Sequence, residues 1–410
     1  MKILRELLVS NLVWRDAVFD ELVRLKRGYD LPNQDIVEGE YPVVTSTNIK
    51  AHHYKYKVEP PGVVTGRSGS LGQVQFVTEK YWPLNTALYV KDFRENNPRF
   101  AYYFLQIMKL ENFNSGAGVP TLNQNHLHKL KIKLPTKKVQ KKIAAILSAY
   151  DDLIENNKRR ISLLENMAEE IYREWFVRFR FPGYQNAEFE KGIPKGWDEI
   201  RLDSFCEKVT DGTHDTPMPT EVGRYLVTGK NIKNSQINFS GSYFISENDH
   251  REISKRSGLK EWDILFSNIG TIGETAVVGE NPDYSVKNII IFRPKNSHQS
   301  LYLDQVLKTP AIIDHLLLIA TGASQQFIGL GVARGYKILN PGSDLIELFS
   351  KKVVSILQQI KTIQKVNNKL SSTKNTLLPR LISGKLSVEN LNIQFPPSML
   401  TENMETLKRT

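Results

Sequence analysis

Two stretches of this chain align with each other without gaps: residues 14–50 (WRDAVFDELVRLKRGYDLPNQDIVEGEYPVVTSTNIK) and, 183 positions later, residues 197–233 (WDEIRLDSFCEKVTDGTHDTPMPTEVGRYLVTGKNIK). The similarity resumes between residues 69–72 (GSLG) and 270–273 (GTIG), and again from residue 115 and residue 321 onward. A repeat of this length is the size of a domain and too long for a solenoid. We therefore predict two similar domains, an arrangement that suits a partner with two similar halves, such as duplex DNA.

A strict alternation of three- and four-residue steps follows each copy and is mostly apolar. The positions in the first copy are Ile143, Leu147, Tyr150, Ile154, Asn157, Ile161, Leu164, Ala168, Ile171 and Trp175. Those in the second copy are Phe349, Val353, Ile356, Ile360, Ile363, Asn367, Leu370, Lys374, Leu377 and Leu381. This spacing is typical of a coiled coil, and an asparagine at such a position usually fixes its register. We predict two long helices that pack antiparallel.

Composition limits the classes of protein to which this sequence can belong. The chain has 410 residues, 40% of them hydrophobic, which predicts more than one domain with real cores. No apolar stretch approaches the roughly 18 residues of a membrane span, and residues 1–10 (MKILRELLVS) lack a signal-peptide pattern. The single cysteine, Cys206, excludes an internal disulfide and a cysteine-based zinc site. We expect a cytoplasmic protein that does not bind membranes.

The net charge of +11 favours a polyanionic partner. Its distribution is uneven. Lysine plus arginine outnumber aspartate plus glutamate by 18 to 13 in residues 1–135, whereas residues 178–341 hold 19 of each. If the second copy binds DNA, it must do so through a local patch.

The repeat divides the chain into segments of an α+β fold, mostly antiparallel, with a pseudo-two-fold internal repeat. The predicted segments are residues 1–135 (first recognition domain), 136–177 (first long helix), 178–196 (linker), 197–341 (second recognition domain), 342–383 (second long helix) and 384–410 (tail). We expect helical segments near residues 100–110 and 302–319. Pro379 should kink or end the second long helix near Leu378, and the tail after Gly384 should be partly disordered.

Catalytic and cofactor motifs are mostly missing. Residues 223–231 (GRYLVTGKN) have the wrong spacing for a phosphate loop, and asparagine stands where serine or threonine should hold magnesium. Residues 327–331 (FIGLG) resemble the glycine turn that holds S-adenosylmethionine in methyltransferases, but their repeat partner, residues 121–125, has no glycine. The histidines do not form a metal-ligand constellation with carboxylates. A turn side chain that faces DNA is the favoured interpretation of His214 over a metal ligand.

Polar loops interleaved with aromatic residues occur at matching places in both copies. Arginine recognises guanine, asparagine recognises adenine, and lysine, serine and threonine hold phosphates. The residues that we predict to contact DNA are Lys26, Arg27, Tyr29, Asn48, Lys50, Lys55, Arg67, Ser68, Thr213, His214, Lys230, Asn231, Lys233 and Asn268. The alternative is that any one of them belongs to an ordinary solvated loop.

At this point the chain resembles the specificity subunit of a type I restriction-modification enzyme, over essentially its whole length. The motifs that carry the resemblance are residues 130–135 (LKIKLP), 140–147 (QKKIAAIL), 193–197 (IPKGW), 377–386 (LLPRLISGKL), 27–32 (RGYDLP) and 211–217 (DGTHDTP). The second helix departs from the family, because residues 342–344 (GSD) replace its glutamine-rich opening.

The resemblance implies a non-catalytic subunit that binds double-stranded DNA at a bipartite site, one half-site per recognition domain. The helices would fix the spacer between the half-sites and dock two methyltransferase subunits, which flip and methylate adenine. Restriction subunits would join that complex. No cofactor is expected on this chain, since S-adenosylmethionine, ATP and magnesium would belong to the partner subunits.

Three alternatives come from other classes of protein. A DNA methyltransferase needs the Asn/Asp-Pro-Pro-aromatic tetrapeptide, which this sequence lacks. A two-domain DNA-binding regulator normally has helix-turn-helix or zinc patterns, and we find neither. A structural adaptor without catalytic partners needs no base-contacting loops, and sequence-specific DNA binding would exclude it.

Overall fold

The computed structural model describes residues 13–116, 118–322 and 325–400. The expectation about residues 1–10 therefore lies outside the described residues. The chain divides into two units: unit 1 comprises residues 1–159 and 363–410, and unit 2 comprises residues 160–362. Each unit thus contains one copy of the repeat and one segment of each long helix.

The first copy consists of short strands and helices. Its strands are β1 (Trp14–Val18), β2 (Arg24–Arg27), β3 (Tyr41–Val44), β4 (Ile49–His53), β5 (Gly62–Gly66), β6 (Val74–Val77), β7 (Trp82–Pro83), β8 (Ala87–Asp92) and β9 (Lys131–Pro135). Its helices are α1 (Phe19–Leu22), α2 (Pro98–Ile107) and α3 (Gln124–His128). The first long helix, α4 (Lys137–Tyr172), follows and ends in a π-helical turn, Arg173–Val177.

The linker and the second copy continue this pattern. The strands are β10 (Phe189–Glu190), β11 (Ile193–Pro194), β12 (Asp198–Arg201), β13 (Cys206–Asp211), β14 (Arg224–Thr228), β15 (Ile232–Lys233), β16 (Gln236–Ile237), β17 (Tyr243–Ile245), β18 (Ile264–Ser267), β19 (Thr275–Val277), β20 (Tyr284–Lys287), β21 (Ile289–Pro294) and β22 (Lys337–Asn340). The helices are α5 (Leu202–Phe205), α6 (Glu247–Ser257), α7 (Ser297–Lys308), α8 (Pro310–Leu318), α9 (Leu330–Gly335) and the second long helix, α10 (Ser343–Ile382).

Three sheets have the same topology in both copies, and the second copy adds the two-stranded sheet β15-β16. A four-stranded sheet has the order β2-β8-β5-β6 in the first copy and β13-β21-β18-β19 in the second. A three-stranded sheet has the order β4-β3-β7 and then β17-β14-β20, and each contains one parallel pair. A two-stranded sheet joins β1 to β9, and β12 to β22. The predicted repeat of mostly antiparallel α+β domains is confirmed.

The gapless alignment of the two copies is wrong by one residue over part of its length. Strand β13 carries a bulge between Cys206 and Lys208, so one extra residue enters the second copy there. Gly28 consequently corresponds to Gly212. Both glycines lie against a backbone carbonyl of the neighbouring parallel segment, where a side chain would collide with that oxygen.

The two long helices pack antiparallel within each unit. In unit 1, Ile143 and Leu147 of α4 share a core with Leu378 and Leu381 of α10, and further along Asn157 Nδ2 donates to Asn367 Oδ1 at 2.8 Å. The two asparagines that interrupt the predicted seam are therefore partners. In unit 2, the end of α4 shares a second core with the start of α10, and Tyr172, Trp175 and Phe176 pack around Phe349.

Three local expectations have different outcomes. Helix α10 continues through Pro379 to Ile382, so the proline does not end it near Leu378. The helical segments expected near residues 100–110 and 302–319 are present, and the second comprises two helices, since Pro310 begins α8. In the described part of the tail, Val388 and Met399 are buried in the core of unit 1.

Candidate nucleic-acid interface

A four-residue turn links two strands at the same place in both copies; we call it the asparagine turn (residues 45–48 and 228–231). Thr45 Oγ1 donates to Asn48 Oδ1 at 2.7 Å. In the second copy Thr228 donates to Asn231 Oδ1 through both its amide and its hydroxyl, each at 3.0 Å. The repeated Thr-x-x-Asn sequence is thus a turn motif in which the asparagine side chain accepts a hydrogen bond from the threonine.

A second shared element is the glycine loop (residues 66–72 and 267–273). Gly69 and Gly72 have φ values of +84° and +90°, and Gly270 and Gly273 have +76° and +102°. Other residues adopt this left-handed region only at a cost, which explains why the two glycine pairs recur at the same spacing. In both copies the glycine loop packs against the asparagine turn: a Cβ on Gly229 would meet Ser267 Oγ, and one on Gly66 would approach Ser46.

A third shared element, the closing hairpin (residues 115–116 with 118–121, and 321–322 with 325–327), pairs with the glycine loop. Isolated bridges join Ser68 to Thr121 and Ile269 to Phe327. The amide of Leu122 donates to the carbonyl of Arg67 at 2.8 Å, and in the second copy the amide of Ile328 donates to the carbonyl of Asn268 at 2.9 Å. Arg67 and Ser68, both half-buried, therefore begin a loop that backbone hydrogen bonds hold in place.

The burial of three predicted contact residues corrects the prediction for them. Asn231 is 3% exposed and donates from Nδ2 to the carbonyl of Asn238 at 3.0 Å. Asn268 is 7% exposed and donates to the carbonyl of Ile328, and Thr213, also 7% exposed, accepts from the amide of Asp215. These side chains hold their own loops because backbone groups there need partners, and they lie below the surface of the domain. Asn48 performs the same turn closure but remains exposed.

The first copy carries a surface on which lysines lie over aromatic rings, which we call the lysine–aromatic face. Lys26 and Lys57 lie 5.7 and 5.6 Å from the centre of the Tyr29 ring, and Lys57 lies 4.8 Å from that of Trp82. Lys55 lies 4.7 Å from the ring of Tyr54, and Lys80 lies 4.5 Å from that of Tyr56. The face combines positive charge with flat apolar surface. Lys57 and Lys80 were missed, although the alternation in residues 54–57 (YKYK) was a signal for Lys57.

Two other basic residues of the first copy have polar partners. Arg27 pairs with Asp30 at 3.0 Å, and the ammonium of Lys50 hydrogen-bonds to the side chain of Asn33. Both remain exposed at the surface. Exposed pairs of this kind contribute little stability, so either residue can exchange its partner for a phosphate at small cost.

In the second copy the exposed candidates are Lys230, Lys233 and His214. Lys230 lies in the asparagine turn and Lys233 follows it on β15. His214 is held between two oxygens, with Nε2 2.8 Å from Asp211 Oδ2 and Nδ1 3.0 Å from Asn288 Oδ1. Its ring is therefore oriented at the surface by its own domain.

The described residues offer little for catalysis. They contain no group of three or more histidine, cysteine, aspartate or glutamate side chains that could hold a metal ion. Cys206 is buried, and burial raises the pKa of its thiol to about 12, so it is a poor nucleophile. No helix in the described ranges combines the length and apolar character needed to cross a bilayer.

Comparisons with known proteins agree with this architecture. Residues 14–166 match the family model of the type I restriction modification DNA specificity domain. The chain is 26% identical over 299 residues to the type I restriction enzyme MjaIX specificity subunit of Methanocaldococcus jannaschii, which covers 69% of this chain and 66% of that protein. It is 22% identical over 328 residues to the HindI specificity subunit of Haemophilus influenzae, which covers 65% of this chain and 71% of that protein.

A solved structure also has this fold. The crystal structure of a type I restriction-modification S subunit from M. genitalium aligns with a TM-score of 0.56 at 20% identity, over 91% of this chain and 97% of that chain. The expected fold class is confirmed, and so is the resemblance to type I specificity subunits.

Proposed function

Residues 14–166 form a type I restriction modification DNA specificity domain, and on that premise we propose that the whole chain recognises a bipartite DNA sequence. Each copy of the repeat contacts one half-site, and the pair of long helices fixes the spacer between them. The helices also dock two methyltransferase subunits, and restriction subunits join that complex. The protein acts in the cytoplasm, where its DNA is.

One observation carries this proposal. An asparagine turn, a glycine loop and a closing hairpin are packed together in the same way in both copies, while the residues at their exposed positions differ. Thr47 and Ser68 of the first copy, which are partly exposed, correspond to Lys230 and Ile269 of the second. Two domains that recognise different base sequences require a constant scaffold that carries variable exposed side chains.

The charge distribution suggests how each copy binds. The lysine–aromatic face supplies phosphate contacts in the first copy, since ammonium groups bind the DNA backbone regardless of sequence. In the second copy Lys230 and Lys233 form the local patch that its balanced charge requires. We assign base recognition to the remaining polar side chains that are at least partly exposed, among which Arg67, Asn48 and His214 have the chemistry to contact base edges.

In this proposal the partner subunits catalyse the reactions. The methyltransferase subunits bind S-adenosylmethionine and methylate adenine, and the restriction subunits use ATP and magnesium. This chain supplies the sequence recognition that directs them. Isothermal titration of the pure chain with S-adenosylmethionine should show no stoichiometric binding, and a measurable one-to-one complex would contradict the proposal.

The proposal is tested by mapping N6-methyladenine across the host genome with and without this gene. We expect one bipartite motif to lose its methylation when the gene is deleted and to regain it when the gene is restored. A methylation map that is the same in both strains would overturn the proposal in favour of an adaptor or regulator.

A domain exchange tests the division into half-sites. Replacing residues 197–341 by the corresponding domain of another specificity subunit should change one half of the methylated motif and leave the other half intact. Loss of both halves, with the chimera still folded, would mean that the two copies do not recognise DNA independently.

A further inference from the structure

Three elements of unit 1 meet at one carboxylate. Asp151, on α4, accepts a hydrogen bond from Tyr103 Oη of α2 at 2.6 Å through Oδ2. Its other oxygen, Oδ1, accepts from Lys374 Nζ of α10 at 2.5 Å. The ammonium of Lys374 also lies 5.2 Å from the centre of the Tyr103 ring. The recognition domain and both long helices therefore share a single polar contact, which we call the Asp151 joint.

The joint is partly shielded from water. Tyr103 is fully buried, and the side chain of Lys374 is 12% exposed, whereas that of Asp151 is 34% exposed. Burial, followed by the charge of Asp151, raises the pKa of Tyr103, so its hydroxyl remains a donor. Lys374 occupies a position in the mostly apolar seam, where an unpaired ammonium is costly. Its charge is satisfied by Asp151 of α4, and Tyr103 of α2 binds the other oxygen of the same carboxylate.

Further contacts extend the joint into the recognition domain. Ser148, one helical turn before Asp151, is fully buried, and its Oγ lies 3.2 Å from Tyr103 Oη. Arg99, at the start of α2, donates from Nη1 to Ser148 Oγ at 3.3 Å. Two turns of α2 are thus connected to one face of α4 by directional bonds. Hydrogen bonds fix an angle between elements, whereas apolar packing permits sliding.

The second copy lacks this joint. The positions that match Ser148 and Asp151 are Val354 and Leu357, which are apolar. The tyrosine that matches Tyr103 is Tyr302, counted from the capping asparagines Asn97 and Asn296. Its hydroxyl donates to the carbonyl of Leu339 inside its own domain, at 2.7 Å. The joint is therefore a feature of the first copy and not a requirement of the fold.

We propose that the Asp151 joint positions the first recognition domain on the helix pair and thereby restricts the spacer that the protein accepts between half-sites. The inference rests on the proposed function. Tyr103, Asp151 and Lys374 are positioning residues that do not touch DNA. Loosening the joint should relax the spacer length while the bases recognised in each half-site stay the same.

The experiment compares methylation of plasmid sites that carry the mapped half-sites with the natural spacer or with one base pair more or less. Tyr103→Phe removes one donor, and Lys374→Met removes the ammonium while keeping the length of the side chain. For each variant we expect the preference for the natural spacer to fall about tenfold, the effect of losing one well-formed hydrogen bond. Lys369→Met is the matched control, since Lys369 is an exposed lysine on the same helix.

The outcomes separate the possible failures. If both variants methylate only the natural spacer as sharply as the wild type, the joint has no positioning role. If a single variant does not fold, the apolar pair Asp151→Leu with Lys374→Leu tests the same point, because such replacements of buried ion pairs usually keep proteins folded. Relaxed spacing in that protein supports the joint, and unchanged spacing overturns it. If deleting the gene leaves the methylation map unchanged, the proposed function has failed and not the joint.

Discussion

At the scale of single residues, a polar side chain in a loop can contact DNA or hold its own loop together. Composition does not distinguish these two roles. Asn48 and Asn231 occur at equivalent positions because both close the same turn, which made them resemble a repeated DNA contact. The difference between them lies in exposure, since Asn231 is buried and Asn48 is not. Exposure depends on packing against residues distant in the sequence, so no local pattern reveals it.

Asn231→Ala should destabilise the second domain without changing the DNA sequence recognised. The substitution leaves the amide and hydroxyl of Thr228 and the carbonyl of Asn238 without their partner, a loss of about 1–3 kcal/mol. Asn48→Ala, at the exposed equivalent, should cost less. Thermal unfolding measures stability and the methylation map measures recognition. A stable Asn231→Ala protein that methylates a different motif would contradict our assignment of this residue to the turn.

Lys230 and Lys233 should contribute to affinity in a way that depends on salt and not on sequence. Changing both to glutamine removes up to two phosphate contacts, and each contact contributes about 0.9 to the slope of log affinity against log salt. The slope for the complete complex on its own site should therefore become shallower by up to about 1.8. Lys255→Gln, which alters an exposed lysine paired with Glu252 on α6, is the control and should leave the slope unchanged.

At the scale of elements, the long helices could be predicted from the sequence because the residues of their seam recur at alternating steps of three and four. The same period placed Asn157 and Asn367 in the seam, and their hydrogen bond explains why both are there. Lys374 was also placed in the seam, but its partner Asp151 lies beside it on the facing helix. The sequence therefore identified the polar residues that interrupt the apolar seam, whereas their hydrogen-bonding partners were identified only from the structure.

The asparagine pair should show strong coupling between its two members. Asn157→Leu alone leaves the Asn367 side chain against leucine, and we expect a loss of about 1–3 kcal/mol. Changing both to leucine should recover that loss or exceed the stability of the wild type, because a polar pair in a seam costs stability in return for register. Unfolding free energies of the four proteins give the coupling energy. Additive effects would mean that the pair does not act as a unit.

At the scale of the whole molecule, the internal repeat predicted most of the architecture and only part of the interface. Two similar α+β domains and two antiparallel helices follow from alignment and period. The alignment failed at the β13 bulge, because one inserted residue changes pairing without changing composition. Of the predicted contact residues, Thr213, Asn231 and Asn268 are buried, and Lys57 and Lys80 were found only when their neighbouring rings were in place.

Lengthening the helix pair should change the DNA spacer. A seven-residue heptad inserted after Ile154 of α4, matched by one after Lys369 of α10, preserves the seam. Because the helices are antiparallel and Asn157 pairs with Asn367, Ile154 and Leu370 lie in the same layer, and both insertions then fall between that layer and the asparagine layer. Seven residues add about 10 Å at 1.5 Å per residue, or about three base pairs at 3.4 Å each. The methylated motif should keep both half-sites and gain about three base pairs between them. Methylation should be slower, because three base pairs also rotate one half-site about the DNA axis.

Inserting a heptad into α4 alone breaks the matched layers and serves as the control for nonspecific damage. A longer helix pair that still methylates the original spacer would show that the helices do not set it.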